Sequence, residues 1–432
     1  MNKKYIVVGL VLALSSLLSI QAFGEGDCNV PSPAASTEVN FVGWAFDITE
    51  FYAKELGKCN SVENLKVNVQ LLSNAGAQEQ VRLALAGGAK SPYGIIHAAN
   101  AQMIEWGSQG WLMPLDDLVE KYREEYDLDD ISQTAWDGGT IDGKIYGVPI
   151  VGNTLHLQYR KDLFEQYGLT PPTTYDDVIA ACKVLKEDTS IDLPFTTNLH
   201  AGWAWEIEFF QFLRAFGGMY LNDDNTPAFN GSEGVAALNK MAEVVDGCMG
   251  FEGLTFSLDD SSGGIQNGAV AFIQIWASRA PGAIDPEQSM YADQIAFAPA
   301  PAPNPGGPLG GSAWNDYYAI PATTDIDPDL LFKMIMETTD NESQLNAAEY
   351  GIVTRMAVSK AGVGGPYLPA AAETIANGVG IYQPKAAVSL VRAALGNWLP
   401  LVGTKELNAQ EALDKAAEEY IVEAKSQGFI KE

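Results

Sequence analysis

From residue 39 onward, short apolar runs alternate with segments of helical period, and this rhythm leaves few architectures open. Val39 to Trp44 is a short apolar run suited to a buried strand, and Ile48 to Leu56 follows with a helical pattern. Leu65 to Leu71 alternates like a strand. Gln78 to Ala86 is helical and stops at the Gly87-Gly88 pair. Ile95-Ile96 is a further strand, and Met103, Trp106 and Leu112 open another helix-and-loop unit. Strand–helix–strand–helix order predicts an α/β fold with a largely parallel sheet flanked by helices, and in such sheets ligands sit beyond the carboxyl ends of the strands. Leu155 to Tyr159, Ala269 to Ile275 and Asp316 to Ile320 predict further strands. Helical pattern dominates from Lys161 to Asp246 and near the C-terminus, as in Ala409 to Ala424. Residues 299–311, rich in Pro, Gly and Ala, read as a connector.

The N-terminus reads differently. Lys3 and Lys4 precede an apolar run from Ile6 to Ile20, and Ala22-Phe23-Gly24 has small-x-small character. This predicts a secretory signal peptide over residues 1–24, with the mature chain starting at Glu25. The acidic residues before Cys28 fit a lipid-anchored form poorly. Some 400 remaining residues exceed one ordinary core and predict more than one domain.

Charge narrows the partners. The chain carries 26 basic and 55 acidic residues; removing Lys3 and Lys4 with the leader leaves 24 basic residues and a net charge of −31. Such a field repels nucleic acid and anionic surfaces and disfavours an anionic substrate. Secretion permits disulfides. Cys28, Cys59, Cys182 and Cys248 allow three pairings. Cys28–Cys59 with Cys182–Cys248 is the expected one, because each pair then falls within one lobe. No CxxC occurs, and three histidines make a zinc site improbable.

Catalytic and cofactor motifs fail on inspection. Gly138 to Lys144 nearly matches a phosphate loop, but Ile145 stands where the magnesium-binding hydroxyl belongs, so a turn with an exposed lysine is expected. The acidic stretches Asp127–Asp130 and Asn222–Asn225 lack the glycine and terminal glutamate of a calcium loop. Tyr317-Tyr318, in a strand, point to opposite faces, one predicted in the core and one exposed. No nucleophile elbow or HExxH is present. Neither catalysis nor a cofactor is predicted. Tryptophans near predicted strand ends are more informative, because a sugar ring has apolar faces that stack on indole while its hydroxyls need amide and carboxyl partners.

Asp142-Gly143-Lys144-Ile145-Tyr146-Gly147-Val148-Pro149 resembles the DGKxYGVP signature of family 1 extracellular solute-binding proteins of ABC importers. Leu157 to Leu169 resembles that family's LxYNKDLFxKxGL motif, and Pro171 to Asp177 its PPKTWDEL. Asn267 to Phe272 with Trp276, Gly310 to Pro321, and Asn408 to Leu413 follow in family order. Arg160 replaces a common asparagine, and Ile275 the glycine usual before Trp276. The resemblance implies a two-lobed periplasmic-binding-protein fold closing like a hinged clamp on a carbohydrate, with no chemistry done on it. Implied crossings fall near Pro149–Thr154, Ala296–Pro303 and Thr354–Gly362. The lobes then divide as 25–150 and 299–355 for the first, and 151–298 and 356–432 for the second. An ABC permease is the implied partner, the periplasm the location and a monomer the state; a polyamine or metal ion is the alternative ligand, and a secreted carbohydrate-active enzyme the alternative function.

Carried over by motif, the candidate ligand-binding residues are Trp44, Phe46 and Asp47 after the first strand, then His97 and Asn100 after the third. Asn153 sits at the first crossing, and Trp203 and Trp205 on the second lobe. Trp276, Ser278 and Arg279 follow the glycine–alanine strand; Trp314, Asn315 and Asp316 follow the glycine pair; Tyr382 comes from the C-terminal helices. Trp276 is the expected stacking platform, with Asp47, Asn153 and Asp316 as hydroxyl acceptors and Arg279 as a donor.

Overall fold

The computed structural model describes residues 28–200 and 202–431; the expected signal peptide over residues 1–24 lies outside them. β1 (Thr37–Trp44), β2 (Leu65–Leu72) and β3 (Ile95–Ala99) alternate with the helices Asp47–Lys58 and Asn74–Ala86. A hairpin, β4 (Thr140–Ile141) and β5 (Lys144–Ile145), turns through Asp142 and Gly143, both at positive φ, and leaves Lys144 exposed. β6 (Val148–Asn153) and β7 (Leu155–Arg160) follow with only Thr154 between them, and β8 (Phe195–Thr196), β9 (Phe272–Trp276), β10 (Ile295–Ala298) and β11 (Trp314–Ala319) complete the strands.

These strands form two separate sheets, ordered β2-β1-β3-β11-β6 and β10-β7-β9-β8. Because β6 lies in one sheet and β7 in the other, the chain passes between lobes at Thr154. It passes back in the segment between β10 and β11. The helices Pro328–Thr338 and Asn341–Ala347 pack on the helix Asp47–Lys58 of the first lobe. Val388–Trp398 and Ala409–Ser426 pack on the helices Trp203–Ala215 and Ser232–Val244 of the second. The chain is thus two-lobed α/β, with each lobe assembled from discontinuous segments.

The sheets are more mixed than a simple strand–helix rhythm predicts. β1 pairs in parallel with β2 and β3, with a helix in each strand-to-strand connection. β11 runs antiparallel to both β3 and β6, and β7 antiparallel to both β9 and β10. The antiparallel members adjoin the crossings, where the chain enters a sheet from the other lobe rather than from a covering helix. Helices cover both faces of the first sheet, so Tyr317 and Tyr318 are both fully buried, not one in and one out as alternation alone predicts. Tyr317 satisfies its hydroxyl by donating to the Ala135 carbonyl at 2.9 Å.

Both expected disulfides are present, Cys28–Cys59 in the first lobe and Cys182–Cys248 in the second. Local signals place the helices between them. Thr174 Oγ1 accepts the Asp177 N–H at 3.1 Å, and Asp177 Oδ2 accepts the Thr174 N–H at 2.9 Å, closing a reciprocal cap on the helix Tyr175–Asp188. Thr174→Ala is expected to lower stability by about 1 kcal/mol, read as a drop in urea midpoint at unchanged slope.

Candidate functional site

The carboxyl ends of β1, β3, β6 and β9 and the amino end of the antiparallel β11 converge on the seam between the lobes. Cross-strand register fixes this: Trp314 pairs with Asn153, and Trp276 with Leu155, on either side of Thr154. Thr154 itself ties the sheets, its carbonyl accepting the Ala277 N–H at 2.8 Å. Asn153 reaches from the first sheet to the second lobe, donating Nδ2 to Ser278 Oγ at 3.0 Å and accepting the Ser278 N–H at 3.2 Å.

On this seam the indoles of Trp276 and Trp314, each 7% exposed, lie with ring centroids 5.5 Å apart at 49°. Tyr382 meets Trp314 edge-on at 5.3 Å. From the first lobe, Trp44 stacks on His97 at 3.5 Å and 17°. The loop carrying Trp44 is pinned by Thr49, whose hydroxyl lies 2.8 Å from the Trp44 carbonyl and accepts the Phe46 N–H at 3.0 Å. His97 Nε2 lies 3.7 Å from Asp316 Oδ1, too far for a hydrogen bond, and both His97 ring nitrogens are buried without protein partners.

Asp47, on the first lobe, lies within electrostatic reach of Arg279 on the second. Burial and the neighbouring Glu50 raise the Asp47 carboxyl, while Arg279 pulls it back down. Arg279 itself is held by Asp259 at 2.9 Å. Phe46, half-buried, packs against the same apolar cluster as Trp276.

Two expected residues do structural work. Asn100 is consumed structurally: its Oδ1 accepts the Asn315 N–H at 2.6 Å and its Nδ2 reaches the Gly138 carbonyl at 3.3 Å. Trp205 is core, against Gly403 and Leu254, and Trp203 is 38% exposed at the start of the same helix. Two residues along a helix turn a side chain by about 200°, so these two indoles do not share a face.

A cluster that motif matching missed lies beside Tyr382. Glu206, fully buried, accepts from Tyr382 Oη at 2.8 Å and Arg392 Nε at 2.8 Å, and also from the Tyr220 hydroxyl. The Arg392 guanidinium lies over the Tyr382 ring at 5.1 Å. One signal was available: Glu206 and Glu208 are carboxylates in an otherwise apolar helix, Trp203–Ala215, and acidic side chains are seldom fully buried without partners.

Comparison with known proteins bears on this geometry. The profile for the family described as bacterial extracellular solute-binding protein matches residues 47–335. A mannitol-binding protein of Pseudomonas aeruginosa is 28% identical over 200 residues, 45% of each chain. An ABC transporter extracellular-binding protein of Pyrococcus horikoshii is 34% identical over 115 residues, 26% of each chain. The chain therefore matches between a quarter and a half of the length of these curated relatives. Among solved structures, a solute-binding protein of Agrobacterium radiobacter in complex with ribitol superposes with a TM-score of 0.78 at 22% identity, covering 90% of this chain and 99% of that one. One of Agrobacterium vitis with bound D-mannitol gives 0.75 at 22%, covering 91% and 99%. At that identity the likeness establishes a shared fold.

Proposed function

The chain belongs to the bacterial extracellular solute-binding proteins, and from that premise we propose that it captures a sugar alcohol or small sugar between its lobes and hands it, unaltered, to an ABC permease from the periplasm. The observation that carries this reading is the seam itself: Trp276 and Trp314 with the carboxylate of Asp316 and the buried, unpartnered ring nitrogens of His97. Aromatic faces with convergent polar groups suit a molecule that is apolar on its ring or chain faces and hydroxylated at its edges. The relatives that bind mannitol or ribitol point the same way. In this reading Trp276, Trp314 and Trp44 stack; Asp316, Asp47 and His97 take hydroxyls; and Asn153 with Ser278 couples the bound ligand to the crossing at Thr154.

A thermal-shift screen of the secreted protein against mannitol, ribitol, maltose, spermidine and divalent cations tests it. A ligand that binds only the folded state adds about 2.7 kcal/mol of stability at a hundredfold excess over Kd. A saturable rise with a polyol or sugar is expected. A rise with spermidine or a cation alone overturns the carbohydrate reading. Asp316→Asn is expected to weaken the responding ligand by about tenfold or more in calorimetric titration, since hydrogen bonds to charged groups contribute about 1.5–3 kcal/mol.

A further inference from the structure

Two arginines at the seam, Arg392 and Arg279, are each matched by carboxylates. Arg392 gives its Nε to Glu206 of its own lobe. Glu105, on the helix Asn100–Ser108 of the first lobe, lies within electrostatic reach of the same guanidinium where that helix packs against Val388–Trp398. Arg279 is treated alike, with Asp259 at 2.9 Å on its own lobe and Asp47 within electrostatic reach on the other. Asp316 adds a further carboxylate, whose near neighbour is His97.

The Arg392 side chain, 16% exposed, is nevertheless a rigid donor. Glu206 is anchored by Tyr220 and Tyr382, so the guanidinium it holds is fixed in place at the end of the aromatic wall Trp276–Trp314–Tyr382. A guanidinium carries five N–H groups; the Nε–H goes to Glu206 and the side chain also hydrogen-bonds Tyr382, which leaves further terminal N–H groups for a ligand oxygen.

We propose that Arg392 is a ligand-contacting residue whose charge is cancelled by Glu206 and Glu105, so that the site accepts neutral polyols and sugars and rejects their acids. Glu206 is the positioning residue and Glu105 the discriminating one. A hydroxyl oxygen accepts from the fixed guanidinium without bringing charge. A carboxylate brings a negative charge to a seam where carboxylates already outnumber the arginines, and like-charge juxtaposition in a closed interface is strongly unfavourable. This inference rests on the polyol-or-sugar reading above and adds its charge selectivity.

The test compares matched probes by calorimetry on the intact secreted protein: D-mannitol against D-gluconate, and D-glucose against D-glucuronate. The native protein is expected to prefer the neutral member by about 100-fold or more, the scale of a like-charge contact. Glu105→Gln is expected to shrink that ratio by about tenfold by removing one compensating charge. Glu206→Gln is expected to weaken the neutral probe and shrink the ratio together, which loss of packing alone does not do. Gluconate or glucuronate binding as tightly as its neutral partner overturns the inference and leaves the ligand reading standing. So does an unchanged ratio in Glu105→Gln. Failure of every neutral probe overturns the ligand reading, and this inference with it.

Discussion

Trp276→Ala is expected to weaken binding of the cognate ligand by about 100-fold or more, equivalent to about 2.7 kcal/mol. The indole is held from two sides: it ends β9, whose register against β7 is fixed residue by residue, and it packs on Trp314. A stacking face built this way is preorganised, so its loss removes contact area without any compensating relief of disorder. Truncating a buried aromatic also costs folding stability, on the order of 3–5 kcal/mol where the cavity does not collapse. Binding is therefore titrated well below the melting onset, and Trp276→Phe provides the second arm. Phenylalanine keeps an aromatic face and is expected to retain binding within about tenfold, as hot-spot aromatics tolerate replacement by another ring better than truncation. Binding by the alanine variant within threefold of native removes Trp276 from the site.

The second large effect concerns stability. Glu208 lies on the same helix as Glu206, but points into the interior of the second lobe beside Tyr175, Thr197 and Gln274. Burial raises its carboxyl to about 8, against opposing hydrogen bonds from Thr197 and the Asn198 backbone. The folded state thus holds a proton that the unfolded chain releases near pH 4.5. Below that pH both states are protonated and burial carries no charge penalty. Between there and about pH 8 the folded state binds more protons than the unfolded one, so stability falls as pH rises, by up to about 1.4 kcal/mol per pH unit. Above that range both states are ionised and the loss levels off. Glu208→Gln mimics the neutral acid. The difference in melting temperature, variant minus native, is expected to be near zero at pH 4 to 5 and to grow to several degrees by pH 8. Parallel melting curves across that range would show that Glu208 is not a buried neutral acid.

How far the sequence led differs by level. Long, strongly patterned elements were legible: the strand read at Val39 to Trp44 is observed as Thr37–Trp44, and the helix read at Ala409 to Ala424 as Ala409–Ser426. β8 was not, because two residues carry no period. The direction of the inserted strands was not legible either. Nothing local in Trp314–Ala319 records that it lies antiparallel between β3 and β6. At the site, motif order brought out Trp276, Trp314, Asn153 and Asp316, which the seam does gather. It gave Trp205 the same standing as Trp203, although helix geometry puts one in the core and the other toward solvent. It passed over Arg392 entirely, since Glu206 lies 186 residues away and no local pattern joins them.

What the sequence determined by itself was therefore local or compositional: the alternation that demands α/β layers, the caps that start helices, the charge that repels anions, and the cysteines able to pair. Those follow from side-chain period, backbone hydrogen bonding and net charge, which need no knowledge of neighbours. The tertiary structure decided which distant carboxylate holds which arginine, which tryptophan faces the seam, and which polar atoms are left unpaired there. These depend on burial, and burial is a property of contacts between segments that the chain brings together only when both lobes have formed.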